Sequence, residues 1–194
     1  MSVTMGTVTT IVGGILCLIV VLLVIWLVVS YNGLVRKRNQ VEASWAQIDV
    51  QLKRRYDLIP NLVETVKGYA AHERQTLEDV IQARNGAVAA AGSDPGTRAA
   101  ADNAVTQTLG RLFALAEQYP NLKANENFAA LQGELTNTED RIAYSRQFYN
   151  SAVQTYNNAT QTIPTNFIAG AMGFKTKEYF ETQGDERGPV RVQF

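Results

Sequence analysis

The sequence predicts an all-α protein. An N-terminal transmembrane helix continues into an antiparallel four-helix bundle, and a mostly irregular C-terminal tail follows. Three observations predict this. Residues 11–29 are apolar without interruption. Beyond them, apolar residues recur at three- and four-residue spacing, and the alternation of a half-buried strand is nearly absent. The breaks between these periodic stretches fall at Pro60, at Gly92-Ser93-Asp94-Pro95-Gly96, at Pro120 and at Ile163-Pro164. They leave four amphipathic segments.

The apolar run extends from Ile11 to Val29, and fifteen of its nineteen residues are Ile, Leu or Val. As a helix it is about 28 Å long, against roughly 30 Å for the hydrocarbon core of a bilayer. Each of those side chains favours insertion by roughly 0.3–0.6 kcal/mol near the helix centre. The alternative is a cleaved signal peptide, which wants a positive n-region, a shorter apolar stretch and a small-residue cleavage site. Here no Lys or Arg precedes Arg36, and Val28 with Ser30 is the cleavage pair on offer. Leu16 ahead of Cys17 argues against lipidation. Residues 1–10 carry no charged side chain, whereas Arg36, Lys37 and Arg38 crowd the other flank. The positive-inside rule therefore puts the N-terminus outside and the bundle in the cytoplasm. Those three cations are candidate membrane-surface residues, worth roughly 1 kcal/mol each beside anionic headgroups. The chain thus divides into a short N-terminal tail (1–10), a transmembrane helix (11–31), a helical bundle (32–162) and a Gly/aromatic tail (163–194).

Leu34, Val41, Trp45, Ile48, Leu52 and Ile59 lie on one stripe of a first helix, with Arg38 and Arg55 in its gaps. Only Asn32-Gly33 interrupts the passage from the span, so the first helix is expected to leave the bilayer as one rod. Pro60 disfavours helical geometry at Ile59 and has no N–H to donate. A second helix is expected to start there, capped by Asp57. Its stripe is Leu62, Val66, Tyr69, Glu73, Leu77, Val80 and Ile81, fading over residues 85–91. A third helix starts near Thr97, carries Val105, Leu109, Leu112, Phe113 and Ala116, and stops at Tyr119-Pro120-Asn121-Leu122. The fourth carries Phe128, Leu131, Leu135, Ile142, Phe148 or Tyr149, Ala152 and Tyr156, and ends at Ile163-Pro164. Pro-Asn-Leu occurs at both 60–62 and 120–122, which fits hairpin turns of a bundle or kinks in two long rods. The tail aromatics Phe167, Phe174, Tyr179 and Phe180 are expected to pack on the bundle end.

Composition narrows function. Eighteen basic and eighteen acidic residues balance to a formal net charge of zero, which gives no footing for nucleic acid. One cysteine and one histidine supply neither a disulfide framework nor a multi-histidine metal site. His72-Glu73 begins like a zincin motif, but position 76 is Thr, and the Glu-x-x-His of a di-iron bundle is absent. Phosphate-cradling and nucleophile-elbow motifs are missing too, so neither catalysis nor a cofactor is expected. Lys53, Arg54 and Arg55, with Asp57, Asn61, Glu64 and Lys67 around Pro60, form the candidate partner-binding face. The plainer reading of the basic trio is a solvated face paired to nearby carboxylates. Val190-x-Val192-x-Phe194 suits strand addition to a partner sheet, or a frayed end.

The stretch Trp45-Ala46-Gln47-Ile48-Asp49-Val50-Gln51-Leu52-Lys53-Arg54-Arg55-Tyr56-Asp57-Leu58-Ile59-Pro60-Asn61-Leu62-Val63-Glu64-Thr65-Val66-Lys67-Gly68-Tyr69-Ala70 resembles the hallmark of the LemA family. Tyr31-Asn32-x-Leu34-Val35, Ala83-Arg84, Tyr119-Pro120-x-Leu122-Lys123-Ala124, Arg146-x-x-Tyr149-Asn150 and Tyr156-Asn157 extend the resemblance over most of the chain. Ile163-Pro164 departs from it, standing where the family commonly has Phe-Pro. The resemblance implies a bacterial membrane protein with one N-terminal span, a soluble helical domain and no established catalytic activity. Some members are encoded near a membrane metalloprotease. The expectation is a scaffold or protein-interaction module at the inner membrane, with an unidentified protein partner. The alternatives are an accessory subunit of a membrane protease and a self-assembling, homo-oligomeric membrane organiser.

Overall fold

The computed structural model describes residues 2–180, with side chains from Val12 onward. The described residues form α1 (Ser2–Lys67), α2 (Arg74–Ala89), α3 (Pro95–Ala116), α4 (Pro120–Lys123), α5 (Glu126–Gln161) and α6 (Thr165–Ala171), with no strand among them. The all-helical class, with a long apolar first helix that packs against other helices, is therefore what the chain adopts. Two compact units divide it: Met1–Glu42 with Gln154–Lys177, and Ala43–Val153 with the chain from Glu178.

In the first unit, α1 begins at Ser2, ahead of the expected span. Every side chain from Val12 to Val29 is exposed, Leu22 by 56 %. A helix that is apolar all round and buries none of it in protein is matched to lipid. It is the one helix among the described residues long and apolar enough to cross a bilayer. Past the span, Leu34 is buried against Ile168 and Ala169 of α6, with Ala159 and Phe174 packed alongside. The tail is thus less irregular at its start than the sequence promised. α6 ends in a Schellman motif: Gly173 takes φ +73°, and Phe174 N–H reaches back to the Ala169 carbonyl at 2.9 Å. That turn delivers the Phe174 ring to Tyr31, 5.7 Å away edge to face. Phe167, expected to pack, is exposed.

In the second unit, α1 from Ala43, α2, α3 and α5 make the four-helix core. Ile48, Leu52, Ile59, Leu62, Val66, Val80, Val105, Leu112, Ile142 and Val153 are fully buried in it. Asp49 pairs with Arg98 and Arg55 with Asp102, so α1 and α3 run the same way. Arg54 pairs with Glu134 and Trp45 stacks on Tyr149, so α5 runs against α1. The α3 start is capped as its sequence dictates: Asp94 Oδ1 accepts from Thr97 N–H at 2.8 Å, and Pro95 occupies the first turn. The Thr97 hydroxyl and backbone hold the Asp94 carboxyl below its ordinary pKa. Asn125 caps α5 likewise, accepting from Phe128 N–H at 3.0 Å.

The largest correction concerns Pro60. It neither turns nor ends the helix, because α1 runs through it to Lys67. Pro60 leaves the Tyr56 carbonyl, four residues back, without its helical donor. Arg84 of α2 supplies the replacement, with Nε 3.1 Å from that oxygen. The α1–α2 turn lies instead over residues 68–73, where Tyr69 and Ala70 N–H groups close on the Val66 carbonyl. Leu62 and Val66 thus belong to the first helix. Tyr69 lies in the turn with its ring exposed, its hydroxyl accepting from Asn125. Asp57, expected as a cap, sits mid-helix and pairs with Lys53 at 2.6 Å.

Candidate functional site

The expected partner-binding residues all fall on α1, and they separate by register. Lys53, Arg54, Asp57, Asn61, Glu64 and Lys67 are exposed. Arg54 reaches Glu134 of α5, and Lys53 holds Asp57. Arg55 is the exception: it is buried and cannot meet a partner. Of the two arginines in the gaps of the apolar stripe, Arg55 points into the core, whereas Arg38 stays exposed. Among the expected membrane-surface residues, Arg36 is exposed and Lys37 half-buried. The Arg38 guanidinium stands 5.5 Å over the Phe174 ring and 3.9 Å from Glu42. His72 is exposed in the α1–α2 turn. Val190, Val192 and Phe194 lie outside the described residues.

Arg55 belongs to a buried ionic cluster that joins three helices. The fully buried Asp102 carboxylate of α3 is its centre. Arg55 Nη1 lies 3.2 and 3.3 Å from the two carboxylate oxygens. Arg146 of α5 also donates to Asp102, and so does the Tyr56 hydroxyl at 3.2 Å. The second Arg55 nitrogen donates to Thr106 at 2.9 Å and forms an ion pair with Glu139 at 3.0 Å. Burial, reinforced by the Asp102 charge, raises the Tyr56 hydroxyl well above an ordinary phenol, so it stays a donor. A carboxylate buried alone costs several kcal/mol, and two guanidiniums with a hydroxyl offset that cost. Beside the cluster, Arg55, Thr106, Leu109, Phe113, Leu135 and Glu139 line part of a cleft of about 300 Å³. The Arg55 charge on its wall is already neutralised by Asp102 and Glu139.

Each unit also holds a stretch of tail by a Tyr-Asn pair on α5. In the second unit, the Asn150 amide donates to the Phe180 carbonyl at 3.2 Å and accepts from the Phe180 N–H at 2.9 Å. Tyr149 donates to the Glu178 carbonyl at 2.9 Å. The Phe180 ring is buried beside Trp45, 5.9 Å between centroids, with the Arg146 guanidinium 5.0 Å over it. In the first unit, Asn157 grips Lys177 in the same two-bond fashion, both at 2.8 Å, and Tyr156 donates to the Lys175 carbonyl at 2.9 Å. An asparagine amide that pairs with both N–H and C=O of one residue fixes an extended chain whatever its side chains. Burial first, and then the Glu178 charge, push the Tyr149 hydroxyl up to about 12.

Reading the sequence alone missed Asp102 and Arg98, and it singled out Arg146, Asn150 and Asn157 within motifs without giving them a role. Two signals point to them. Arg55 on an apolar stripe demands a buried acid elsewhere, and Tyr-Asn recurs at a heptad interval, 149–150 and 156–157. Chemically, the cluster pins helices by mutual neutralisation, and the amide pairs hold backbone. Among the described residues no group of three His, Cys, Asp or Glu side chains is placed to hold a metal ion.

The chain is 30% identical to magnetosome protein MamQ 2 of Paramagnetospirillum magneticum over 195 residues, covering 88% of this chain and 72% of that protein. It is 28% identical to magnetosome protein MamQ of Magnetospirillum gryphiswaldense, covering 84% of this chain and 69% of that protein. Protein LemA of Metamycoplasma hominis is 25% identical, with 82% of this chain and 72% of that protein covered. The LemA family model matches residues 44–194, a stretch that takes in the ionic cluster and both Tyr-Asn pairs, and the chain belongs to the LemA family.

Proposed function

We propose that the protein is a single-pass membrane-anchored scaffold. In this reading residues 11–31 cross a bacterial inner membrane, the N-terminus lies outside, and the bundle is a cytoplasmic protein-interaction module without catalysis. The observation that carries it is α1 itself. One uninterrupted helix is bare of protein contacts from Val12 to Val29, and further along it supplies core to a bundle. The cations Arg36, Lys37 and Arg38 on one flank only support the orientation. The ionic cluster supports binding over reaction, since groups that satisfy one another in a core hold position rather than transfer protons. The docking face is the exposed side of α1: Lys53, Arg54, Asp57, Asn61, Glu64 and Lys67, without Arg55.

Two measurements test this. In a Cys17→Ser background, a cysteine at Glu64 should resist a membrane-impermeant maleimide until cells are opened, while one at Ser2 reacts at once. The reverse pattern overturns the orientation. Photoreactive residues at Asn61 and Glu64 should then give discrete adducts that Lys53→Glu with Lys67→Glu abolishes. Adduct masses separate a second copy of the chain from a protease or another partner, and the absence of adducts removes the docking face.

A further inference from the structure

We propose that α6 is a second membrane contact, a short foot that rests in the headgroup layer of the leaflet through which α1 leaves the bilayer. The proposal rests on the anchor reading above. Its basis lies within the first unit. α6 packs Ile168 and Ala169 onto Leu34 of α1. On its other side and at its two ends it presents large apolar groups to the medium: Ile163 is 73 % exposed, Phe167 69 % and Met172 62 %. Single exposed apolar residues are ordinary, but three within ten positions, Phe167 on the helix and Ile163 and Met172 just beyond its ends, concentrate apolar surface on one short segment.

The axial position of α6 supplies the occupant. Leu34 comes five residues after Val29, the last residue of the exposed apolar run, which is an axial rise of about 7.5 Å. The headgroup layer on each side of a bilayer is roughly 5–7.5 Å thick, half the difference between its full and hydrocarbon thickness. The element docked on Leu34 therefore lies at the outer edge of that layer. Tyr31, half-exposed and edge-on to Phe174, marks the same level, where aromatic rings are favoured. Arg36 and Lys175 are exposed cations on the neighbouring backbone and suit anionic headgroups. Exposed apolar groups docked just beyond an apolar span and accompanied by cations match a lipid surface, into which amphipathic elements sink about 5–10 Å.

The test uses the full chain, Cys17→Ser, in vesicles of phosphatidylethanolamine and phosphatidylglycerol. Spin labels are placed at Phe167→Cys, Met172→Cys, Tyr144→Cys and Leu22→Cys. All four parent side chains are exposed, so the labels disturb no packing. Labels at 167 and 172 should show several-fold less collision with a water-soluble nickel chelate than the label at 144, and more with oxygen. The label at 22 should report hydrocarbon. Labels at 167 and 172 that behave like the one at 144, with the label at 22 still in hydrocarbon, overturn the foot and leave the anchor standing. Protection from both quenchers marks a protein contact and also overturns it. A label at 22 that meets the nickel chelate overturns the anchor itself.

Discussion

Residues 12–29 and residues 34–66 of α1 are one helix built for two solvents. The first stretch is apolar at nearly every position and buries none of them. The second buries Leu34, Val41, Ile48, Leu52, Ile59, Leu62 and Val66 and turns charge outward between them. The difference lies in where polar groups find partners. In hydrocarbon every backbone hydrogen bond must close within the helix, so the span holds no proline. In the bundle a neighbouring helix can intervene. Pro60 is tolerated because Arg84 reaches the Tyr56 carbonyl, and Arg55 is tolerated because Asp102 waits across the core. The lipid-facing half is self-sufficient, whereas the bundle half depends on residues far away in sequence.

That contrast is broken most forcefully at Asp102. Asp102→Ala leaves the Arg55 and Arg146 guanidiniums without their shared acceptor and should destabilise the bundle by about 3–5 kcal/mol. Urea unfolding of the detergent-solubilised full chain measures it. Retention in the membrane pellet should not change, because the span shares none of those partners. A loss below about 1 kcal/mol would mean that the arginines are satisfied elsewhere and that the cluster does not hold the helices together.

How far the sequence could reveal this follows the same division. The long apolar helix was legible residue by residue, because one rule, an apolar side chain at nearly every position, runs through it. The bundle class was legible from apolar spacing, and so was the stop before Pro120; α3 starts at Pro95, two residues ahead of the expected Thr97, because Asp94 caps it and Pro95 fits its first turn. The two Pro-Asn-Leu copies show the limit. Pro120 opens α4, whereas Pro60 lies inside α1. The local sequence is the same, and the outcome at Pro60 turns on Arg84, more than twenty residues on. Exposure of the candidate docking residues was legible except at Arg55, where three adjacent basic residues hid the fact that only the third faces inward. Asn150 and Asn157 act on backbone, so no side-chain pattern in the tail announces them.

The Pro60–Arg84 pair sharpens the comparison with a smaller effect. Arg84→Ala removes the donor from a half-buried carbonyl and should cost about 1–3 kcal/mol. Pro60→Ala restores the N–H that the helix lacks there. In that background the same Arg84 substitution should cost only a few tenths of a kcal/mol, and the difference is the coupling between them. A double-mutant cycle by urea unfolding reads it directly. Equal losses in both backgrounds would show that Arg84 serves some other contact and that α1 passes through Pro60 unaided.

The smallest effect separates the halves by pH. Between residues 12 and 29 the span contains no Asp, Glu, Lys, Arg, His or Tyr, so in a Cys17→Ser background alkali should not loosen it. Tyr149 is different: its ordinary value is 10.0, and burial, then Glu178, raise it to about 12 in the fold. The folded state therefore prefers the neutral phenol more than the unfolded state does. The stability from this preference is complete below pH 10 and disappears as pH climbs from 10 towards 12. Tyr149→Phe loses the hydrogen bond to the Glu178 carbonyl, about 1 kcal/mol at neutral pH, but has no phenol to ionise. The gap between wild type and Tyr149→Phe should accordingly narrow through that window, with Tyr56 and Tyr156 titrating in both proteins. A gap that stays constant from pH 9 to 12 would show that Tyr149 is not under the pressure its buried position implies.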